Sequence, residues 1–453
     1  MKENRLGIRN WITFIMIGLV GQFAWTIENM YLNRYLFHLT GDPQLIPVMV
    51  AVSAVAATLT TLLMGALSDR LGKRKIFISA GYIVWGIAIL LFPLARVIKD
   101  TGLGQATEVA ANAAFLSGVF IVIMDAVMTF FGSTANDACF NAYVTDTTNT
   151  NNRGKVESIL SILPLVSMLV IFGGMEGIIA SESFDGWLAF FIIIGAITVI
   201  AGIVNIFVMP KDTLKPNKEE PYFKNIFYGF RPSVIKKNYM LYICLIAFML
   251  FSIAIQVFFP YFMIYIEHGL GIAGFDFILT LGIVLVLACI ITVVFGLFMD
   301  KIGKSLIMIP ALGVTIIGAV LMFFLKEQIG VMIGGTILMS GYMVSTAVLN
   351  AKIRDYTPEK EVGLFQGVRM IFSVCVPMVT GPFIGEALYM ATSNPNNTYP
   401  NEYGELVVIP NEWIFLGAAL VLLVAIAPLV FIIIKERRLK TILINETSSN
   451  VEE

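Results

Sequence analysis

Charged residues are scarce in this chain. Asp, Glu, Lys and Arg make up 13% of its 453 residues, against roughly 25% in an ordinary soluble domain. Hydrophobic residues make up 58%, and they form runs of about 20 residues, which are long enough to cross a bilayer as helices. Because unpaired backbone groups are costly in lipid, these runs must be helical. The composition therefore excludes a soluble globular domain and predicts an all-α membrane protein.

Residues that bind metals or act as nucleophiles in enzymes are also few. The two histidines, His38 and His268, lie at the ends of apolar runs, and the four cysteines show no spacing typical of a metal site or a disulfide framework. The sequence has no paired-histidine metal motif and no nucleophile elbow. With a net charge of −1, it also gives no sign of nucleic-acid binding. We expect no metal, no cofactor and no catalytic residue.

The apolar runs number twelve and predict twelve transmembrane helices. They cover residues 11–37, 45–66, 76–97, 112–142, 156–180, 187–209, 238–266, 276–299, 306–325, 329–351, 363–390 and 413–434. Most of the 30 Lys and Arg residues lie in the N-terminus, the tail and alternate connections, whereas the opposite connections hold only Arg96, Lys99 and Lys326. This asymmetry places both termini and the central loop in the cytoplasm. No small-residue cleavage site follows the first run, so we expect it to remain in a multi-pass protein of the cell membrane.

The chain contains an internal repeat. Gly65, Asp69, Gly72 and Lys73 recur in the second half as Gly296, Asp300, Gly303 and Lys304. Two further sets recur in the same order: Tyr31, Tyr35 and His38 as Tyr261, Tyr265 and His268, and Asn141, Asp146 and Thr148 as Asn350, Asp355 and Thr357. Such repeats are typical of secondary transporters. They predict two pseudo-symmetric six-helix halves at 1–209 and 238–434, a cytoplasmic linker at 210–237 and a cytoplasmic tail at 435–453.

The segment Gly65–Lys75 resembles the loop between helices 2 and 3 of the major facilitator superfamily, whose pattern is Gly-x-x-x-Asp-Arg-x-Gly-basic-basic. In that family the loop acts as a latch between the halves. The resemblance implies the same role for Asp69, which could accept hydrogen bonds from a neighbouring helix N-terminus, and for Arg70. We extend this gating role to Gly65, Gly72, Asp146, Asp300 and Asp355. A plain topological anchor is the alternative.

A narrower resemblance comes from the first apolar run and one cytoplasmic turn. The segments Gln22–Glu28, Tyr31–Tyr35 and Asp146–Arg153 are similar to the glycoside–pentoside–hexuronide cation symporters, a group that includes the plant sucrose–proton symporters. The resemblance implies sugar transport by alternating access. Its sodium-using members carry an Asp pair on helix 2, but residues 45–66 contain no carboxylate. The coupling ion implied here is therefore a proton.

Polar side chains form stripes at helical spacing on four of the apolar runs, the first, fourth, seventh and eleventh. Amides and hydroxyls suit a neutral polyhydroxylated ligand such as a sugar, although hydrogen bonds between helices would explain any single residue. The residues that we expect to bind the substrate are Gln22, Thr26, Asn29, Asn33, Thr129, Asn136, Ser252, Gln256, Arg369 and Ser373.

Two carboxylates lie deep within apolar runs. Asp125 heads the stripe of the fourth run, and Glu28 lies in the first run on a different face from its stripe. A charge at the centre of a span costs at least about 2.5–3.5 kcal/mol on insertion scales, so its presence indicates function. Because burial favours the protonated form of a carboxylate, we interpret both as proton-coupling residues. A structural ion pair or a hydrated position is the alternative for each.

The remaining ionisable residues are expected to lie near the membrane surfaces. Arg34 should reach outward and Arg369 inward, and Glu176 should be hydrated. The sequence as a whole predicts a monomeric, proton-coupled sugar symporter that works in the lipid bilayer. An exporter of drugs or metabolites is the main alternative, and a membrane enzyme and a nontransporting sensor are remote ones. The polar loop Ala391–Glu412 suggests no role.

Overall fold

All twelve predicted spans are helices in the computed structural model. It describes residues 6–148, 153–179, 184–212, 228–302, 304–358, 362–401 and 406–449. Within these ranges, twelve helices are long and apolar enough to cross a membrane. Spans 1 to 12 are Ile8–Thr40, Leu45–Leu71, Lys75–Asp100, Thr107–Thr147, Ile159–Ile179, Asp185–Val208, Tyr239–Gly269, Gly274–Phe295, Leu306–Phe324, Gln328–Tyr356, Gly367–Ala391 and Trp413–Arg438. The predicted fold class is confirmed.

Seven of the spans lie in uninterrupted helices. These helices are Leu45–Leu71, Arg153–Ile179, Phe184–Val208, Gly274–Ile302, Lys304–Phe324, Gln328–Tyr356 and Trp413–Ser449. The last of them continues well past the predicted end of span 12 at residue 434, so the described part of the tail is helical. Span 3 is divided into Lys75–Leu91 and Leu94–Asp100, with Pro93 at the break, where it lacks the N–H that an α-helix needs.

The other four spans change helix type along their length. Span 1 comprises Ile8–Thr26, a π-helical segment at Ile27–Tyr31, and Leu32–Thr40. Span 4 comprises Thr107–Gly132, a π-helical segment at Ser133–Phe140, and Asn141–Thr147. Span 7 comprises Tyr239–Phe258, a 3₁₀ turn at Phe259–Tyr261, Phe262–Ile264, and a π-helical segment at Tyr265–Gly269. Span 11 belongs to Val362–Met370, a π-helical segment at Ile371–Cys375, and Val376–Ala391.

Short elements outside the spans include a 3₁₀ turn at Tyr228–Phe230, a helix at Pro232–Lys237 and a 3₁₀ turn at Pro395–Asn397. The strands β1 (Thr398–Pro400) and β2 (Leu406–Val408) pair antiparallel, with Thr398 opposite Val408. We call this pair the outer hairpin. The terms outer end (Thr40 and the outer hairpin) and inner end (Ile8 and Leu71) follow the orientation predicted above.

The charged turn after span 2 owes its shape to two local interactions. Gly72 ends the helix with a φ of 63°, a left-handed conformation that costs glycine little. Span 3 then begins at Lys75, whose backbone N–H donates to the two carboxylate oxygens of Asp212 at 3.2 and 3.3 Å. A negative charge there is favourable next to the positive end of the helix dipole. Asp212, and not Asp69, holds this position.

The first six and last six spans meet along several helix pairs. Span 2 packs against span 11, span 5 against span 8, and the outer part of span 1 against span 7. Within each group, glycines allow close approach of backbones, as is common between membrane helices. A Cβ on Gly86 of span 3 would lie 2.7 Å from the carbonyl oxygen of Gly195 in span 6. In the second group, a Cβ on Gly341 of span 10 would lie 2.5 Å from the backbone nitrogen of Thr315 in span 9.

Labelling of introduced cysteines tests the predicted orientation. We expect a cysteine at Asn396 to react with a membrane-impermeant maleimide in intact cells, because the loop before span 12 should lie outside. A cysteine at Asn217, in the linker, should react only after the cells are opened. The variants are made in a background without the native cysteines. The reverse pattern of labelling contradicts the orientation.

Candidate functional site

The four spans with polar stripes are also the four with π-helical segments. In the part of the chain that the structure describes, every π-helical segment lies in span 1, 4, 7 or 11. A π turn holds more residues than an α turn and occurs often at functional sites. The segments contain Glu28, Asn136, Glu267 and Ser373. Two independent features, polarity and irregular helix geometry, thus select the same helices.

The two deep carboxylates come together between spans 1, 2 and 4. Glu28 is 6% exposed and Asp125 is 1% exposed. The Thr129 hydroxyl donates to Glu28 Oε1 at 3.1 Å, Asp125 is near enough to act electrostatically on Glu28, and the buried Ser53 interacts with both. We call Glu28, Ser53, Asp125 and Thr129 the carboxylate site.

The carboxylate site has no basic partner among the described residues. One oxygen of each carboxylate, Glu28 Oε2 and Asp125 Oδ1, is buried without a hydrogen-bond partner there. Neither Glu28 nor Asp125 therefore forms, within the described chain, the structural ion pair that was the alternative to proton coupling. Two carboxylates at close range in a buried site cannot both carry a charge cheaply. This arrangement suits a site that exchanges a proton.

Thr26, in the polar stripe of span 1, faces span 5 and not the carboxylate site. Its hydroxyl lies 2.9 Å from that of Ser167 in span 5, which is a bond between helices. The amide nitrogens of Asn29 and Asn33 donate to carbonyl oxygens one turn earlier, at 2.8 and 3.0 Å. Asn33 Oδ1 is buried without a partner in the described residues. Thr26 and Thr129 were both predicted to bind the substrate, but the structure places Thr129 against Glu28 and Thr26 against Ser167.

The other residues predicted to bind substrate are spread over spans 1, 4, 7 and 11. Gln22, Ser252 and Gln256 are half-buried, and Asn136 is buried, where it packs against Gly21 of span 1. In span 11, the guanidinium of Arg369 donates to Asn350 Oδ1 at 2.9 Å. Ser373, one turn later, donates to the Arg369 carbonyl oxygen at 2.7 Å.

A buried ion cluster joins the two groups of spans at the outer end. Arg34 Nη1 in span 1 lies 2.5 Å from Glu176 Oε1 in span 5. Its Nε and Nη2 donate to the two carboxylate oxygens of Glu267 in span 7, at 2.8 and 2.7 Å. The Tyr31 hydroxyl donates to Glu176 Oε2 at 2.9 Å, and Phe277 of span 8 lies against the guanidinium, with its ring centroid 4.9 Å away. We call Tyr31, Arg34, Glu176 and Glu267 the outer cluster.

The outer cluster corrects two predictions. Arg34 does not reach the membrane surface and Glu176 is not hydrated, since both are buried, Glu176 completely. The reason is physical: a cation held in an apolar bundle needs a carboxylate, and the matching glutamates lie far away in sequence. One signal was present. One arginine near the outer end of span 1, Arg34, and glutamates near the same ends of spans 5 and 7 could have been paired by depth.

The outer hairpin lies over this end of the bundle. Tyr399 packs against His268 of span 7 and Phe37 of span 1, with ring centroids 5.1 and 6.1 Å apart. Asn401 packs against Gly41 at the end of span 1. The loop that the sequence left without a role therefore covers the junction between the first and last six spans.

At the inner end, some of the predicted gating residues form hydrogen bonds to Arg74 and others are exposed. Arg74 bonds Ser68 and Asp69 and donates to Asp146 Oδ2 at 3.2 Å, which ties the ends of spans 2 and 4 to the turn. Burial lowers the pKa of Arg74, but the carboxylates of Asp69 and Asp146 raise it above its ordinary value. Arg70 is exposed, as is Asp355 in the second half. The side chain of Asp300 lies outside the described residues.

Asp69 and its partners belong to the first six spans, so the bonds described here do not cross between halves. In the second half, Glu436 of the last helix bonds Tyr356 and lies 2.6 Å from Lys352, both of span 10. A cavity of about 560 Å³ opens beside Arg74 and Asp146. Its lining includes Arg9, Tyr143 and Lys211 but none of the residues predicted to bind substrate.

The role of Asp69 can be tested by kinetics. We expect Asp69→Asn to lower the maximal rate of transport several-fold with little change in apparent affinity, because the carboxylate supports one conformer and does not touch the ligand. Initial uptake rates over a range of substrate concentrations measure this. The control is Glu108→Gln, an exposed carboxylate at the outer end. An unchanged maximal rate would leave Asp69 as a topological anchor.

One comparison with known proteins identifies the family, and another identifies solved structures with the same fold. The family model described as Major Facilitator Superfamily matches residues 11–350. No curated protein matches the chain. Among solved structures, a mutant of the nucleoside transporter NupG is 12% identical, with a TM-score of 0.63 over 94% of this chain and 100% of that one. The D-xylose-proton symporter is 15% identical, with a TM-score of 0.64 over 92% and 97%.

A third solved structure is a partially occluded, inward-open conformation of the xylose transporter XylE from E. coli. It is 14% identical, with a TM-score of 0.62 over 91% of this chain and 97% of that one. Identities this low establish the shared fold alone.

Proposed function

Since this chain belongs to the major facilitator superfamily, we propose that it is a proton-coupled symporter of a neutral polyhydroxylated solute such as a sugar. The observation that carries the proposal is the carboxylate site: two buried acids that act on each other electrostatically, without a basic partner in the described chain. A transporter needs such a group to carry a proton, because a fixed ion pair would hold its charge throughout the cycle. The solved transporters of the same fold include one that is named a sugar–proton symporter.

The proton belongs to the pair, with Asp125 as its main acceptor. Thr129 donates a hydrogen bond to Glu28, which stabilises the charged form of that carboxylate. Each carboxylate has one oxygen without a partner in the described chain, so the hydrogen bond from Thr129 is what distinguishes Glu28 from Asp125. Adding a proton to Asp125 therefore leaves one negative charge in the site instead of two. Losing it restores the repulsion between the two carboxylates.

The solute is assigned to the polar faces of spans 1, 4, 7 and 11. The half-buried side chains of Gln22, Asn29, Ser252 and Gln256 offer amides and a hydroxyl, which match the hydroxyl groups of a sugar without adding charge. Arg369 and Ser373 add donors from span 11. The outer cluster closes the outer end in this conformer, so we assign access to the carboxylate site from the inner end.

Alternation follows from the charge of the carboxylate site. With the outer end open, the site takes up a proton and the solute binds. With one proton bound, the site carries one negative charge instead of two and can be enclosed at lower cost, and the halves close at the outer end and part at the inner end. The proton and solute leave to the cytoplasm, and the empty carrier returns. Asp69 and Arg74 stabilise one of the two conformers at the inner end.

Uptake into proteoliposomes tests the proposal. Purified protein is reconstituted and given labelled monosaccharides, disaccharides and nucleosides, with an imposed pH gradient or an imposed sodium gradient. Nucleosides are included because one transporter of the same fold is named for them. We expect a sugar to accumulate when the outside is acidic. Accumulation that follows sodium instead, or net export of solutes with no sugar uptake, contradicts the proposal.

A further inference from the structure

We infer that Asp137 of span 4 relays the proton from the carboxylate site to the inner side of the membrane. The proton leaves Asp125, the carboxylate of Asp137 takes it up and becomes neutral, and Asp137 then releases it to water on the cytoplasmic side. The inference rests on the proposed function, to which it adds the route by which the proton leaves.

The first observation is a series of polar side chains along span 4. Every fourth residue is polar in the order Asp125, Thr129, Ser133 and Asp137, with an acid at each end and two hydroxyls between. In a regular α-helix, each member would be turned by about 40° from the one before. The π-helical segment begins at Ser133 and takes more residues per turn, so it offsets this drift before Asp137. The series therefore runs from the carboxylate site toward the inner end.

The hydroxyl groups of this series bond the acids at its two ends. The Thr129 hydroxyl donates to Glu28 Oε1 at 3.1 Å, and the Ser133 hydroxyl donates to Asp137 Oδ2 at 2.9 Å. A hydroxyl can accept a hydrogen bond as well as donate one, which a path for a proton requires. Asp137 is also near enough to act electrostatically on Glu28. The inner acid is thus linked to the carboxylate site and not only to its own helix.

Span 2 supplies a further hydroxyl between the carboxylate site and Asp137. Ser53 interacts with both acids of the carboxylate site, and farther along span 2 a Cβ on Gly65 would lie 3.8 Å from that of Ala138. Thr61 lies between Ser53 and Gly65, both along the helix and around it. Its hydroxyl is buried and has no hydrogen-bond partner in the described chain. Such a group is costly, and a proton path gives it a role.

Asp137 is the point of its segment that solvent reaches. Every other residue from Gly132 to Phe140 is buried, whereas Asp137 is half-buried. Among the residues that the structure describes, no basic side chain pairs with its carboxylate. Because no fixed ion pair holds its charge, Asp137 can take up a proton from one side and lose it to the other.

The groups around Asp137 come from several spans. Span 1 contributes Glu28, and span 3 contributes Tyr82, on which the charge of Asp137 acts. The Tyr82 hydroxyl donates to the carbonyl oxygen of Ile17 at 2.7 Å and so is oriented away from the carboxylate as a donor. From span 4, the amide of Asn141 donates to the Asp137 carbonyl oxygen at 3.1 Å. These groups leave the Asp137 side chain with a single hydroxyl donor, that of Ser133.

Rates of net uptake and of exchange test the relay. Right-side-out membrane vesicles with an acidic exterior are given the labelled sugar that the unmodified protein accumulates. Asp137→Asn should lower the initial rate of net uptake by about tenfold or more, because a positioned acid–base group contributes about 10²-fold or more to a proton transfer. Exchange moves no net protons, so its rate should stay within about threefold of that of the unmodified protein. Accumulation should reach its usual level slowly, since Asp125 still couples the proton to the solute.

The buffer in the lumen distinguishes a relay from a structural role. Without the carboxylate, the proton must pass directly to a buffer molecule. Net uptake by Asp137→Asn should therefore rise with the concentration of phosphate buffer in the lumen, whereas uptake by the unmodified protein should not. Asp137→Glu keeps a carboxyl group and should keep most of the uptake. The matched control is Glu108→Gln, an exposed acid at the outer end of the same span, which should behave as the unmodified protein.

Three results would overturn the inference. They are net uptake by Asp137→Asn at the rate of the unmodified protein, a loss of exchange together with net uptake, and slow uptake that luminal buffer does not raise. In each of these cases the unmodified protein still accumulates sugar, so the proposed function stands and the relay alone fails. If the unmodified protein accumulates no sugar under a pH gradient, the proposed function fails and the relay fails with it.

Discussion

Asp125→Asn should abolish accumulation driven by a pH gradient. The amide imitates the permanently protonated carboxyl group, so the carboxylate site can no longer release a proton at the inner end. Its neighbour Glu28 keeps its hydrogen bond from Thr129, and Gln22, Asn29 and Gln256 remain to bind the solute. The variant should therefore bind substrate, and its internal concentration should at most equal the external one.

Exchange separates this outcome from simple damage. Proteoliposomes loaded with unlabelled sugar are diluted into labelled sugar, and the loaded carrier moves back and forth without net movement of protons. Asp125→Asn should exchange at a rate within about threefold of the unmodified protein, since the barrier it adds applies only to proton release. The matched control is Glu28→Gln, the other acid of the site. If Glu28→Gln loses accumulation and Asp125→Asn keeps it, the proton belongs to Glu28.

Arg34→Gln should open the outer end. Removing the guanidinium leaves Glu176 and Glu267 facing each other in a buried position, and the loss of one partner of a buried ion pair costs about 3–5 kcal/mol. This free energy acts on the closed conformer only, because water solvates the two carboxylates when the halves part. The ratio of closed to open conformers should fall by about 10²- to 10⁴-fold, and uphill transport should be lost with it.

Chemical labelling from the outside measures the opening. A cysteine at Asn29, one helical turn below Asn33 in span 1, should react with an impermeant maleimide about a hundredfold faster in Arg34→Gln. The matched control is Arg96→Gln, since Arg96 lies at the outer end in an ordinary i,i+4 pair with Asp100 at 2.8 Å. A variant with Arg34→Met, Glu176→Gln and Glu267→Gln together should regain slow labelling. Fast labelling in that variant would show that packing, and not charge, holds the outer end closed.

The helices could be predicted from the sequence because the apolar runs and the charged connections are local features. The membrane makes this possible: it requires about 20 apolar residues per span and penalises charge between them. Glu28 and Asp125 were found for the same reason, as charges where charge is costly. The sequence pattern also placed Asp125 in the polar stripe of span 4 and Glu28 outside the stripe of span 1. It could not tell which neighbouring helix each residue meets.

The partners of Arg34 could not be predicted in this way. They lie 142 and 233 residues away in sequence, and only the packing of spans 1, 5 and 7 brings them together. The same holds for Ser53, an ordinary serine of span 2 until it is seen beside both carboxylates. Asp212 likewise caps span 3 across a long separation. A helical wheel gives the direction of a side chain around its own axis and carries no information on the helix opposite.

The π-helical segment Ile27–Tyr31 has a consequence for how chains of this fold can differ in length. Its hydrogen bonds join residues five apart instead of four, so the segment accommodates one residue more than an α-helix in the same turn. Deleting a residue from a regular span rotates all that follows by about 100°. Deleting one from this segment restores an ordinary turn and leaves the direction of Arg34 and the rest of the span unchanged. We therefore expect a one-residue gap at this segment in alignments of related chains. The gap should separate sequences that keep Glu28 from sequences that do not.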